Sequence, residues 1–98
     1  MNAIPDENPF SRLAGVQRRI HERGQHRCYD GVKIDELADA GRRLEAVAHS
    51  AAEMELGADG FDNTDMSRRY RLVQAQLHNA AQALVAACEL LEEGATAD

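Results

Sequence analysis

Glu45, His49 and Glu53 follow one another at four-residue steps, which on a helix sets two carboxylates and an imidazole along one side. Such a trio is half of the divalent-metal site that bundles assemble from facing helices. If Leu44 and Val47 face a neighbouring helix, however, the trio points outward, and an exposed acidic stripe with one His is ordinarily solvated. His21, His26 and Cys28, with Asp30 close behind, gather a second group of ligand types, but at spacings that match no zinc module. Solvated or loop positions are the expected reading of both sets, which stand as candidate ligands only for a metal-binding alternative, and no cofactor is expected.

Cys28 and Cys88 are the only cysteines. If a hairpin turns near residue 61, position 88 lies level with residue 34, one short loop from Cys28, so a disulfide is within reach. A reducing cytosol favours two free thiols. Asp59, Asp62 and Asp65 lack the ligand order of a calcium-binding loop and read as turn and capping residues. No Ser or Cys has an evident His base, no glycine-rich loop could cradle a phosphate, and no carboxylate pair stands in a recognisable catalytic frame. The chain is not expected to be an enzyme.

Charge is more informative by region than in total. The 98 residues carry a net −6. The first 29 residues hold five Arg, whereas positions 30–64 hold nine acids against Lys33, Arg42 and Arg43. Arg12, Arg19 and Arg23 form a strip on one helical face, suited to phosphates or to an acidic protein surface, or to Asp35, Glu36 and Asp39 of the chain itself. An acidic total, a single Lys and no interleaved aromatic residues weigh against nucleic acid. No apolar run approaches the ~20 residues of a membrane span, and no export signal opens the chain, so a cytoplasmic location is expected.

These residues need elements to hold them, and the elements are helical. Pro occurs only at positions 5 and 9, and no alternating β-branched run appears. A loose tail is expected over 1–8, then a helix over about 9–24 with Asn8 as cap and Pro9 in its first turn. A second helix is expected over 33–56, starting either after Asp30 or with Asp35 as cap, and stopped by Gly57. A third is expected over 64–93, capped by Asn63, Thr64 or Asp65. Leu37, Ala40, Leu44, Val47, Ala51 and Met54 on the second match Met66, Tyr70, Val73, Leu77, Ala80, Leu84, Ala87 and Leu91 on the third. The two stripes predict an antiparallel hairpin whose end is plugged by Phe61. The fold class is therefore all-α: a short N-terminal helix plus a long helical hairpin, assembled as a dimeric bundle. From Ala80 onward the third helix is apolar on several sides, so either the first helix or a second copy must cover it. The expected homodimer interface is Leu77, Ala81, Leu84, Val85, Cys88 and Leu91.

The segments Gly31-Val-Lys-Ile-Asp-Glu-Leu-Ala-Asp-Ala-Gly-Arg-Arg-Leu44 and Leu77-His-Asn-Ala-Ala-Gln-Ala-Leu-Val85 resemble an uncharacterised family of short bacterial helical-hairpin proteins. The resemblance spans roughly residues 28–92 and implies the hairpin but transfers no functional residue. A separate Arg-rich helix ahead of the hairpin departs from that family's pattern.

Taken together, the residues predict a small non-enzymatic module that self-associates and presents a charged surface, with Arg12, Arg19, Arg23, Asp35, Glu36 and Asp39 as candidate contacts, to a protein partner. One alternative is a phage or mobile-element inhibitor that blocks a larger machine with its acidic face. Another is a metal-binding helical protein.

Overall fold

The computed structural model describes residues 8–96, and it is all-α: α1 (Pro9–Glu22), α2 (Tyr29–Gly60) and α3 (Thr64–Thr96). The tail expected over 1–8 lies outside the described residues except for Asn8. That residue caps α1, its Oδ1 accepting the Phe10 N–H at 2.9 Å, while Pro9 fills the first turn, where no amide hydrogen is needed. Gly24, at φ 73°, turns the chain out of α1, and the Gln25 N–H reaches back to the Ile20 carbonyl at 3.0 Å.

α2 starts at Tyr29, close to the earlier of the two starts that the sequence offers. Cys28, not Asp35, is its cap: the thiol sulfur accepts the Gly31 N–H at 3.3 Å. The connector crosses so tightly over the first turn that a Cβ at position 31 would sit 2.1 Å from the Gln25 carbonyl oxygen. Only glycine lets α2 begin there. At its far end α2 runs through Gly57 to Gly60, because one helical glycine costs only about 1 kcal/mol, and this is too little to end a long helix. The stop comes at Asp62, which takes the left-handed conformation (φ 57°), and Asn63 then caps α3 by accepting the Met66 N–H at 3.1 Å.

α2 and α3 form the antiparallel hairpin, but the third helix is rotated from the register its apolar stripe implies. Its inward rows are Tyr70, Leu77, Leu84 and Leu91 together with Ser67, Gln74, Ala81, Cys88 and Ala95, all buried or half-buried. The two rows advance in seven-residue steps, the spacing of a helical seam. Met66, Val73, Ala80 and Ala87 lie one row further round, beside the seam instead of in it. On α2 the same shift leaves Leu37, Leu44, Ala48 and Ala51 facing inward, whereas Val47 and Met54 stay exposed.

α1 lies across one side of the hairpin at the end away from the turn. Leu13, Val16 and Ile20 are buried against Ile34 of α2 and Val85 and Cys88 of α3, with Leu37, Leu84, Leu91 and Ala95 packed around them. Leu13 rests on Gly41, where a Cβ would lie 2.4 Å from its Cδ1. α1 thus covers part of the apolar half of α3. Ala81, Val85 and Cys88 are fully buried within the chain, Val85 and Cys88 in the cluster with α1, so these three of the expected interface residues are not on its surface. Among the described residues no helix is long and apolar enough to cross a membrane.

Candidate functional site

Of the charged residues nominated by the sequence, Arg12, Arg19, Arg23 and Asp35 fasten α1 to the hairpin. Glu92 accepts from Arg19 through both carboxylate oxygens, at 2.8 and 3.0 Å, and from Arg23 at 3.1 Å, while Arg12 reaches Glu89 at 3.4 Å. The Arg19 hydrogen bonds hold the Glu92 carboxyl below the ordinary glutamate pKa despite its partial burial, and the same contact raises that of Arg19. The strip Arg12, Arg19, Arg23 thus meets the acids of α3, not Asp35, Glu36 and Asp39. Those three have other contacts: Asp35 with Gln17 at 2.8 Å and His21 at 2.9 Å, Glu36 with Lys33 at 3.2 Å, and Asp39 with Arg42. Burial opposes charge on Asp35, yet the hydrogen bonds from Gln17 and His21 outweigh it and its pKa is lowered.

The candidate metal ligands do not converge. Glu45, His49 and Glu53 are all exposed along α2, and the first and last are separated by about 12 Å of helix. His21 and His26 stack ring on ring at 4.5 Å, while Cys28 donates its thiol hydrogen to the Gln25 carbonyl. These three residues close the connector. Among the described residues, no group of three or more His, Cys, Asp or Glu is placed to hold a metal ion. The two thiols are unbonded, Cys28 exposed and Cys88 buried, and burial above all, with Glu89 and Glu92 nearby, pushes the Cys88 thiol up to about 11. Of the loop acids, Asp62 makes the turn and Asp65 pairs with Arg69 at 3.2 Å.

What the chain leaves unused is apolar. On the side of the hairpin away from α1, Ala40, Val47, Met54 and Phe61 run along α2, and Met66, Val73, Ala80 and Ala87 run along α3, each row at seven-residue intervals. Val47 is 53 % exposed, Met54 51 %, Val73 43 % and Phe61 89 %. Phe61 does not plug the hairpin end. It stands at the rim of a groove of about 440 Å³ lined also by Met54, Gly57, Ala58, Met66 and Tyr70, with Glu53 and Asn63 as its polar lining residues. Between Met54 and Met66 the floor has no side chain at Gly57 and only a methyl at Ala58, which is why the groove is there.

The sequence contains the signal for this face. It carries more apolar residues at helical spacing than one seam can use, and the rows of Met66 and Val47 are the excess. Reading them as the seam hides the face, because the true seam row includes Ser67 and Gln74. Ser67 is buried with no hydrogen-bond partner for its hydroxyl, and Gln74 bonds Glu55 at 2.6 Å. Glu89 and Glu92 were missed for a different reason: nothing local pairs residue 12 with 89 or 19 with 92. No protein-family model, no curated protein and no solved structure matches this chain.

Proposed function

We propose that this chain is a non-enzymatic protein–protein interaction module whose working surface is the open apolar face of the α2–α3 hairpin. The observation that carries the reading is the pair of apolar rows on that face, together with the exposed Phe61 and the groove beside it. Contiguous apolar surface of this kind, rimmed by polar residues, marks a contact site, since an unoccupied face gains solubility from polar side chains. The charged surfaces are poorer candidates. An acidic partner or a phosphate approaching Arg19 would first have to displace Glu92, and a basic groove approaching Asp35 would compete with Gln17 and His21.

The test compares the tagged full chain with its Met54→Glu/Val73→Glu form as bait in its native host. Both substituted side chains are half exposed or nearly so, which keeps the fold out of the comparison. Proteins held by the first and lost by the second, with capture that persists as salt is raised, are the expected result. Identical capture by the two forms would sink the reading.

A further inference from the structure

We propose that the occupant of the open face is a second copy of this chain, laid face to face about a two-fold axis with its hairpin turn at the opposite end. This rests on the reading of that face as the working surface and adds to it the identity and orientation of the partner.

Three observations lead there. The first is extent. From Ala40 to Phe61 the face runs for about 32 Å of helix. Across two helices roughly 10 Å apart it would bury on the order of 700 Å² per copy, within the range of stable pairs. The face is itself a two-helix layer, and a second such layer completes a four-helix bundle with each α1 on the outside.

The second is taper. Along α2 the residues grow toward the turn, from Ala40 through Val47 and Met54 to Phe61, and along α3 they grow in the same direction, from Ala87 and Ala80 through Val73 to Met66. A copy with its turn at the same end would stack large on large and leave a gap over the alanines, losing contact there. A reversed copy sets Phe61 and Met66 over Ala40 and Ala87, so the layers stay evenly spaced along their length.

The third is charge. α2 carries eight acids against three bases, which would oppose stacking α2 on α2. Asp35 and Glu45, however, lie on the α1 side, Asp35 bonded to Gln17 and Glu45 beside Phe10 and Leu13, while Glu55 is bound to Arg71 and Gln74. On the open side Glu36 is paired with Lys33 and Asp39 with Arg42, both within α2, and Arg43 and Glu53 remain. Two-fold reversal brings Arg43 of each copy to within about five residues' rise, roughly 7 Å, of Glu53 of the other.

Sedimentation equilibrium on the full chain at micromolar concentration should give twice 10.8 kDa. Met54→Glu/Val73→Glu should weaken the pair on the order of a hundredfold, because it buries carboxylates in an apolar contact. Leu72→Glu, equally exposed but outside the face, should leave association unchanged. Orientation is read by cysteine cross-linking in a Cys28→Ser background. Ser50 and Gln76 lie near the midpoints of the two rows, so reversal sets each opposite its own copy. Mild oxidation of Ser50→Cys, and separately of Gln76→Cys, should then give covalent dimers. A dimer in which neither cross-links overturns the orientation. A monomer at every concentration overturns the second copy, and if host proteins are still lost with Met54→Glu/Val73→Glu, the interaction surface itself stands.

Discussion

Glu92 receives two guanidinium groups, and its carboxyl is only partly reached by water, so it is the residue through which α1 is most firmly tied to α3. Glu92→Gln keeps the shape and removes the charge. It should cost about 1 kcal/mol, since charge-assisted hydrogen bonds become neutral ones at a half-open site. The sign with pH follows from the lowered pKa of Glu92: its contribution is present above the ordinary glutamate pKa and is lost as pH falls through the lower, folded value. Asp35, also lowered, acts in the same direction. Denaturant melts from pH 7 down to pH 3 should therefore show stability falling on the acid side in the parent chain. The gap between parent and Glu92→Gln should narrow as the pH drops.

At the scale of elements, two glycines that look alike in sequence have opposite meanings. Gly57 is helical with nothing within 4 Å of the Cβ position, whereas a Cβ at Gly31 would collide with the backbone of Gln25 and His26. Gly57→Ala should stabilise by about 0.5–1 kcal/mol through helix propensity. Gly31→Ala should destabilise by about 2 kcal/mol or more, because backbone must move to admit it. Thermal melts of the two variants check both signs. The same contrast explains what was legible beforehand. The hairpin and its leucine rows follow from local periodicity, as does the Asn8–Pro9 start of α1. The choice of the earlier start for α2 does not, since it depends on the connector folding back over position 31. Nor does the rotation of α3, because Ser67 and Gln74 occupy seam positions that hydrophobic patterning assigns to Met66 and Val73.

For the molecule as a whole, packing is uneven along the hairpin. α1 lies over the half that contains Ile34, Ala38, Val85 and Cys88, whereas the half near the turn is two helices with Ala51 and Ser67 as its fully buried residues. Local opening free energy follows buried apolar contact. In a Met54→Glu/Val73→Glu background, where the open face has no occupant, amide hydrogen exchange should be fastest around residues 56–68. It should be slowest around 34–41 and 81–88. Uniform protection along both helices would contradict this gradient.

The placement of α1 on one side of the hairpin and the apolar rows on the other has a genetic consequence. Substitutions that unseat α1 and substitutions that blunt the open face fall on separate sets of positions, so they should form two complementation classes with different remedies. A defect at Leu13 or Gly41 should be suppressed by changes elsewhere in the α1 contact. A defect at Val73 or Met54 should be suppressed only by a compensating change in whatever lies against that face. If the occupant is a second copy, the suppressor should map back into this same chain, at Val47, Ala80 or a neighbour across the two-fold.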